Sequence, residues 1–220
     1  MGFLGRRGLA LAFTAVIAVC WVGCGGGEDD NPADNSGNYD ISLSCGNRAC
    51  KSAVMPDGKT WMTENVNRTT DNSGCYLDSC AKYGRVYTWN AAKIVCPSGW
   101  HLPTRDEWGA LAKAAGGTGD YGADGTAGTA LKSKSGWEWD YVHNKNGNGT
   151  DDYGFSALPN GCGKNGGEKY GMWWTATEDG EDYAYNRVMS FKSDNVEEGG
   201  GDHKDSRKDI WASVRCVKGD

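Results

Sequence analysis

The nine cysteines constrain the fold of this 220-residue chain more than any other feature of its sequence. A C-x4-C spacing occurs twice, at Cys45 and Cys50 and again at Cys75 and Cys80. Closely spaced cysteines form disulfides in exported proteins, whereas in cytosolic proteins they more often bind metal or take part in catalysis. Nine is also an odd number, so at least one cysteine has another role. The choice between these interpretations depends on where the chain is delivered.

The first 23 residues have the features of an export signal. Arg6 and Arg7 precede an apolar run over residues 9–22, which is too short to span a bilayer stably. The run ends just before Cys24, and the small residue preceding this cysteine resembles the lipobox of bacterial lipoproteins. We therefore predict a lipoprotein signal peptide over residues 1–23 and lipidation of Cys24. A plain signal peptide cleaved nearby is the alternative.

Residues 24–40 are rich in Gly, Asp and Asn, a composition typical of a flexible tether. Multiple acyl chains on one cysteine give stable anchoring, so the membrane is the first expected partner. The acidic run just after the lipid cysteine resembles surface-export signals of bacterial lipoproteins. We therefore expect an outer-membrane lipoprotein of the cell envelope that is displayed at the cell surface. Attachment to the inner leaflet is the alternative.

Composition narrows the class of the remaining domain, residues 41–220. The chain contains 34 Gly, 10 Trp and 10 Tyr but only 5 Pro. Glycine without a three-residue period excludes collagen, and the aromatic content argues against disorder. We expect a loop-rich fold built around large aromatic anchors. A net charge of −6 makes nucleic acid a poor candidate partner.

Two helices are predicted from their caps and apolar faces. Thr88 is a suitable N-cap for a helix over residues 89–95. Thr104 and Glu107 form a capping box for a second helix, which the glycines at 116–117 end. The apolar face of this second helix consists of Trp108, Leu111, Ala112 and Ala115.

Strands are predicted at five places, which together with the helices indicate an α+β domain. Asp57 and Gly58 form a turn before an alternating segment at residues 59–66. The other strands are expected over residues 41–43, 173–177, 183–191 and 212–217, with a long polar loop over residues 192–209.

One loop contains weak candidates for a cation site. Four of its side chains carry oxygen and have part of the spacing of a calcium-binding loop. They are Asn144, Asn146, Asn148 and Asp152. The leading Asp of such a loop is missing, and Phe155 occupies the place of the bidentate Glu. A loop stabilised by Asx turns is the preferred interpretation. We therefore predict no metal and no cofactor, with Ca²⁺ as the alternative.

Five segments resemble one protein family in sequence and in order. They are DGKTWMTENVN (57–67), CYLDSCAKYGRVYTWNAAKIVCPSGWHLPTRDEW (75–108), DDYGFSALPNG (151–161), YGMWWTATE (170–178) and SVRCV (213–217). The family is the Fibrobacter succinogenes major paralogous domain, and the resemblance covers nearly all of residues 50–220. It implies a C-type lectin-like fold that is distantly related to formylglycine-generating enzymes. Such a fold is α+β and loop-rich, with two helices and a small, mostly antiparallel sheet.

The resemblance also implies how the cysteines pair. A disulfide ties an early helix to the last strand in this fold, so Cys96 is expected to pair with Cys216. This bridge closes a loop of about 120 residues, which corresponds to roughly 4–5 kcal/mol on the entropic model. Local pairs are then Cys75 with Cys80 and Cys45 with Cys50. Cys162 is left over, as a free thiol, an intermolecular link or a partner that displaces one local pair.

A ligand face is implied at the strand and long loop near the C-terminus. Its candidate residues are of the types that adaptable binding surfaces favour. They are Tyr183, Tyr185, Asn186, Arg187, Ser190, Asn195 and His203. Alternation along the strand leaves open which of its two faces is exposed, and inward packing of the tyrosines is the alternative. Three tryptophans, Trp173, Trp174 and Trp211, are expected in the core.

The resemblance bears on catalysis as well. Formylglycine-generating enzymes use a pair of cysteines in the segment before the last strand, but residues 163–215 contain no cysteine. The C-x4-C pairs could bind zinc together with His101, His143 and His203, but these histidines lack the usual ligand spacing. Disulfides are favoured in an exported protein, and His101 is expected to pack and bond to backbone. We therefore predict no catalytic residues.

The sequence thus favours a binding protein over an enzyme. We expect the domain to bind a glycan or a protein ligand without catalysis. A structural scaffold of the cell envelope is the alternative, and an enzyme distantly related to formylglycine-generating enzymes is the third hypothesis. The identity of the ligand and the oligomeric state are left open by the sequence.

Overall fold

The computed structural model describes residues 50–76, 79–161, 167–200 and 206–219. Several predictions concern residues outside these ranges and stay predictions: the signal peptide at 1–23, lipidation of Cys24, the tether at 24–40, the strand at 41–43, Cys45, Cys162 and His203. Within the described part of the chain, no helix is both long enough and apolar enough to cross a bilayer.

The described residues form four α-helices, two more than predicted. They are α1 (Cys80–Tyr83), α2 (Trp89–Val95), α3 (Arg105–Ala114) and α4 (Ala127–Leu131). The predicted helix at residues 89–95 is confirmed as α2. The two unexpected helices are only 4 and 5 residues long. Helices this short are stabilised by tertiary contacts. They are also too short to show a periodic apolar pattern, so the sequence does not predict them.

The capping box predicted for α3 is confirmed. The amide of Glu107 donates to the hydroxyl of Thr104 at 3.2 Å, and a Glu107 carboxylate oxygen accepts from the Thr104 amide at 2.8 Å. Each side chain thus satisfies an amide that the first helical turn leaves without a partner. The apolar face predicted for this helix is buried in full.

Fourteen strands lie within the residues that the structure describes. In chain order they are β1 (Ser52–Val54), β2 (Thr60–Met62), β3 (Ser73–Cys75), β4 (Arg85–Tyr87), β5 (Trp100–His101), β6 (Gly117–Thr118), β7 (Asp124–Gly125), β8 (Trp139–Asp140), β9 (Lys145–Asn146), β10 (Tyr170–Glu178), β11 (Ala184–Ser190), β12 (Glu197–Gly199), β13 (Ala212–Ser213) and β14 (Val217–Lys218). The strands predicted at 173–177 and 183–191 are confirmed as β10 and β11. The strand predicted at 59–66 is shorter and is limited to β2.

The strands form two main sheets. A six-stranded sheet has the order β12-β11-β10-β13-β4-β3, and a four-stranded sheet has the order β1-β2-β14-β5. All pairs are antiparallel except β10 with β13. Two further two-stranded ribbons pair β6 with β7 and β8 with β9. The predicted α+β class with mostly antiparallel small sheets is therefore confirmed.

The last strand differs from its prediction. The segment 212–217 forms two separate strands, because β13 joins the six-stranded sheet and β14 joins the four-stranded one. Residues 214–216 cross between the sheets. The carbonyl of Val214 accepts from the amide of Val66, and that of Cys216 accepts from the amide of Met62. This crossover holds residues 62–66 against the C-terminal segment.

The central strand β10 has both faces in the core. Trp173 and Trp174 are fully buried on opposite sides of it, in two separate hydrophobic clusters. Full burial of such a side chain contributes on the order of 2–3 kcal/mol. The core prediction for these two residues is confirmed. Trp211 is a correction, since 43% of it is exposed, and its ring lies over the backbone of Gly74 in the edge strand β3.

Two predicted disulfides are confirmed. Cys96–Cys216 joins the end of α2 to the crossover before β14, and Cys75–Cys80 joins β3 to α1. Cys50 is also disulfide-bonded, but its predicted partner Cys45 lies outside the described residues. The exported setting inferred from the N-terminus agrees with this use of cysteine.

Candidate functional site

A polar cavity of about 210 Å³ opens between α1 and the segment that follows β2. Residues 80–84 form one wall. The segment after β2 contributes Thr63, Glu64, Asn65 and Asn67, and the remaining lining residues are Ser156, Leu158 and Arg215. These residues come from four stretches of the chain that are far apart in sequence.

Arg215 forms the base of the cavity. Its Nε donates to the Oδ1 of Asn65 at 2.9 Å, its Nη1 donates to the carbonyl of Phe155, and its Nη2 donates to the carbonyl of Ser156 at 2.9 Å. The guanidinium also lies 4.3 Å from the centre of the Phe155 ring. Burial lowers the pKa of Arg215, and the charges of Asp151 and Glu64 oppose this effect. The guanidinium therefore ties the loop around residue 155 to the crossover segment.

Asn65 connects the parts of the site. Its Oδ1 accepts from the Nε1 of Trp173 at 2.8 Å as well as from Arg215, and its Nδ2 donates to the carbonyl of Tyr83 at 2.8 Å. Gly84 makes this contact feasible: it has a φ of +73°, and a Cβ there would lie 2.6 Å from the Cβ of Asn65. One buried amide thus links α1, the core and the crossover segment.

The rim of the cavity carries charges of both signs. The Nζ of Lys82 lies 3.5 Å from the Oε1 of Glu168, and the hydroxyl of Tyr83 donates to the same oxygen at 3.4 Å. On the other side, the Oε1 of Glu64 accepts from the backbone amide of Lys51 at 3.0 Å. The cavity thus has both donors and acceptors nearby, together with the ring of Tyr83 and the side chain of Leu158.

Ser156 is held in a conformation that is uncommon outside glycine. Its φ is +52°, and Asp151, with which it is bonded, has a φ of +48°. The amide and the hydroxyl of Ser156 each donate to the Asp151 carboxylate at 2.6 Å. Such backbone conformations persist where surrounding contacts fix them, and they cluster at binding and active sites. Ser156 lines the cavity together with Arg215, and its bonds to Asp151 hold it in place.

The predicted ligand residues on and next to β11 differ in how far they are buried. Asn186, Arg187 and Ser190 are buried, which corrects the expectation that they lie at a ligand face. The strand β11 is paired along both edges, by β10 and β12, and side chains on both of its faces are buried. Tyr183 and Tyr185 are half-buried.

Arg187 belongs to an internal ion network. Its Nη2 lies 2.9 Å from the Oε2 of Glu198, and Arg105 binds the same carboxylate through two nitrogens. The guanidinium of Arg105 stacks between the rings of Tyr121 and Tyr185, at 3.7 and 4.0 Å from their centres. Tyr185 therefore packs on a cation of the protein itself. Asn195 is also half-buried, in the loop before β12.

Two of the four cation candidates, Asn146 and Asn148, accept hydrogen bonds from backbone amides. The Oδ1 of Asn148 accepts from the amide of Trp137 at 2.9 Å, and the Oδ1 of Asn146 accepts from the amide of Asn148 at 3.0 Å. Asn144 has a φ of +49° in a turn, and Asp152 is exposed. Among the described residues, no group of three His, Cys, Asp or Glu side chains is placed to hold a metal ion.

His101 bonds to a side chain rather than to backbone, which corrects its prediction. Its Nε2 lies 2.9 Å from the Oε1 of Glu107, and the Nζ of Lys59 lies 3.4 Å from the same oxygen. Burial opposes ionisation of Glu107, but hydrogen bonds from Thr104 and His101 outweigh it and lower the pKa of this carboxyl. Since Glu107 is the capping residue of α3, this cluster stabilises a helix terminus.

Sequence reasoning missed the cavity residues as a site. One signal could have indicated them, namely the family resemblance. The segments that carry it contain Glu64, Asn65, Ser156 and Arg215. Their convergence depends on contacts across 59 to 150 residues of sequence. No local pattern encodes contacts of that range.

Comparison with known proteins gives one match, to a protein family. No curated protein and no solved structure matches the chain. The model of one protein family, the Fibrobacter succinogenes major domain, matches residues 54–218. That range contains all of the residues lining the cavity and both strands of the central hairpin, β10 and β11. The chain is therefore a member of the Fibrobacter succinogenes major domain family.

Proposed function

We propose that this chain is a membrane-anchored lipoprotein of the cell surface whose domain binds a glycan without catalysis. The observation that carries the binding function is the convergence of four family segments on one polar cavity. Segments 57–67, 75–108, 151–161 and 213–217 each contribute to its lining. Concave sites with a few convergent polar groups are the usual location of ligand binding.

The chemistry of the cavity supports a hydroxyl-rich ligand. Thr63, Asn67 and Lys82 supply hydrogen-bond donors at the lining, and Glu64 supplies acceptors. A sugar hydroxyl both donates and accepts, so it suits a mixed lining of this kind. The volume of about 210 Å³ is below the range for drug-sized ligands and corresponds to one small polar unit.

The distribution of carboxylates supports binding over glycoside hydrolysis. Hydrolysis of a glycosidic bond ordinarily uses two carboxyl groups that flank the scissile bond. Among the described residues that line the cavity, Glu64 is the one with a carboxylate, and its Oε1 accepts from the backbone amide of Lys51. The carboxylate of Glu168, at the rim, is bound to Lys82 and Tyr83. A ligand in this cavity would be held by hydrogen bonds and released unchanged.

A C-type lectin-like relationship and the membrane anchor belong to the same proposal. The Cys96–Cys216 disulfide between an early helix and the C-terminal segment supports the relationship. The apolar run at 9–22, followed by Cys24, supports the anchor. A binding domain on an acylated tether would hold its ligand close to the cell surface.

A binding screen tests the proposal. The full chain, purified in detergent, is applied to a glycan array and to insoluble cellulose and xylan, with heat-unfolded chain as the control. We expect retention on at least one polysaccharide and its competition by the soluble oligosaccharide. If the chain binds none of the polysaccharides tested, the proposed glycan binding is contradicted. A scaffold would instead give one abundant cross-linked protein partner in intact cells.

A further inference from the structure

The Cys75–Cys80 disulfide lies in the wall of the cavity. It joins the last residue of β3 to the first residue of α1. Cys80 itself lines the cavity, and the rest of that wall is the stretch 81–84 that follows it. The strand β3 is in turn paired with β4 at one edge of the six-stranded sheet. A covalent bond therefore ties one wall of the cavity to the sheet.

The helix α1 has little stabilisation of its own. It is only 4 residues long, and its N-cap residue Ser79 makes no side-chain hydrogen bond to the first turn. Within the turn, the Tyr83 amide donates to the carbonyl of Ser79 at 3.1 Å, and the Gly84 amide donates to that of Cys80 at 3.0 Å. A single turn of helix is unstable in isolation. The position of α1 thus depends on what holds its two ends.

The two ends of α1 are held in different ways. At the C-terminal end, the carbonyl of Tyr83 accepts from the Nδ2 of Asn65 at 2.8 Å, and Tyr83 is buried. At the N-terminal end, the disulfide at Cys80 supplies a link to the sheet. The two residues between these ends, Ala81 and Lys82, are exposed. Without the disulfide, we therefore expect the N-terminal half of the wall to lose its attachment while Tyr83 keeps its place.

The two confirmed disulfides differ in their access to solvent. Cys75 and Cys80 are both half-buried at the sheet edge, whereas Cys216 is fully buried in a hydrophobic cluster. Thiol–disulfide exchange requires a thiolate to reach a sulfur atom, so the bridge at the cavity is the more accessible one. Its sequence separation is 5, against 120 for Cys96–Cys216, and opening a short loop removes less stability. The bridge at the cavity can therefore open while the domain stays folded.

We propose that the Cys75–Cys80 disulfide is a redox switch of the cavity: the closed bridge orders the α1 wall, and reduction by a dithiol loosens the wall and releases the ligand. This inference rests on the proposed glycan binding and adds its regulation. One thiolate of the dithiol attacks a sulfur of the bridge, which forms a mixed disulfide and releases the other cysteine. The second sulfur of the dithiol then displaces the remaining cysteine and closes a cyclic disulfide. Two electrons and two protons thus pass from the dithiol to Cys75 and Cys80.

Hydrogen exchange of the full chain tests whether the disulfide orders the wall. The paired variant Cys75→Ser with Cys80→Ser lacks the bridge without any reductant, so the other cysteines keep their bonds. We expect the backbone amides of residues 80–84 to exchange at least tenfold faster in this variant than in wild type, with the amides of α3 unchanged. Wild type treated with dithiothreitol, at a concentration where alkylation labels Cys75 and Cys80 but not Cys216, should give the same pattern. Equal exchange at residues 80–84, or labelling of Cys75 and Cys80 only together with Cys216, would overturn the switch.

Ligand binding tests whether the wall controls the cavity. The probe is a soluble oligosaccharide of a polysaccharide that retains the chain in the binding screen, and its affinity is measured by calorimetry. We expect at least a tenfold loss in the paired serine variant and in dithiothreitol-treated wild type, recovery of wild type on reoxidation, and no further effect of dithiothreitol on the variant. Full affinity of the folded variant, or of treated wild type with Cys75 and Cys80 labelled, would overturn the switch and leave glycan binding intact. Absence of binding by oxidised wild type would overturn the glycan function and the switch with it.

Discussion

The Nε of Arg215 donates a hydrogen bond of 2.9 Å to the Oδ1 of Asn65, across 150 residues of sequence. The same oxygen accepts from the indole nitrogen of Trp173. Two buried donors therefore depend on the side-chain amide of Asn65. We call this set of three residues, Asn65, Trp173 and Arg215, the junction, and Asn65 and Arg215 also line the cavity. The junction joins the segment after β2, the central strand and the crossover between the two sheets.

Removal of this amide should destabilise the fold strongly. Asn65→Ala leaves the buried donors of Arg215 and Trp173 without their acceptor, and each such donor costs about 1–3 kcal/mol. We expect the free energy of unfolding to fall by about 3 kcal/mol in urea titrations. Asn67→Ala is the control, because Asn67 lies at the same cavity but is only half-buried. Equal losses in the two variants would contradict the role of Asn65 as the junction.

Gly84 should tolerate no side chain. Both Gly84 and Gly58 have positive φ, +73° and +84°, so alanine strains the backbone at either position. A Cβ at Gly84 would also collide with Asn65, whereas a Cβ at Gly58 would have no heavy atom within 4 Å. We expect Gly58→Ala to cost about 1 kcal/mol and Gly84→Ala to cost at least 2 kcal/mol more. Matching melting temperatures would show that the close approach to Asn65 does not matter.

The two confirmed disulfides should differ in their effect on stability. Cys96–Cys216 spans 120 residues and Cys75–Cys80 spans 5. The loop-entropy model gives about 5 kcal/mol for the long bridge and about 2 kcal/mol for the short one. Paired serine variants of each bridge are compared by chemical unfolding under non-reducing conditions. A larger loss for the Cys75–Cys80 pair would contradict the model.

Lys132 should produce a recognisable pH dependence. Its Nζ is buried and donates to the carbonyls of Ser190 and Ser193, each at 2.9 Å. Burial lowers the pKa of Lys132 from 10.5 to about 8. The unfolded chain therefore binds more protons than the folded chain between these values, and the stability contributed by this group rises with pH across that window. Below pH 8 the buried charge is present in the folded state and its full cost applies.

The comparison of two lysine variants isolates this effect. Between pH 7 and pH 9.5, wild type should gain about 2 kcal/mol of unfolding free energy relative to Lys132→Met. Lys134→Met is the control, since Lys134 is exposed two residues away. A constant difference between wild type and Lys132→Met across this range would contradict the assigned pKa.

Local signals predicted local structure well. The helix α3 was predictable because Thr104 and Glu107 satisfy each other's amides within one turn, and that bond exists independently of the rest of the fold. The Asp57–Gly58 turn and the strand pair β10–β11 follow in the same way from neighbouring residues. The family resemblance added the Cys96–Cys216 pairing, which no spacing rule supplies.

Features that depend on contacts between distant parts of the chain could not be predicted from neighbouring residues. The split of segment 212–217 into β13 and β14 depends on which sheet each half meets, and the burial of Arg187 depends on Glu198 in the neighbouring strand. An arginine in an alternating strand looks like a surface residue unless its partner is known. The cavity was missed for the same reason, since its lining comes from four distant segments.

Blocking the cavity tests the central claim most directly. Ala81 lies on the exposed side of α1 at the cavity, so Ala81→Trp should fill the opening with little cost in stability. Ile94→Trp places the same ring on the exposed side of α2 as the control. We expect Ala81→Trp to lose at least tenfold in affinity, measured by calorimetry, for the oligosaccharide that the full chain binds, and Ile94→Trp to bind as wild type does. Full affinity of a folded Ala81→Trp variant would contradict binding at this cavity.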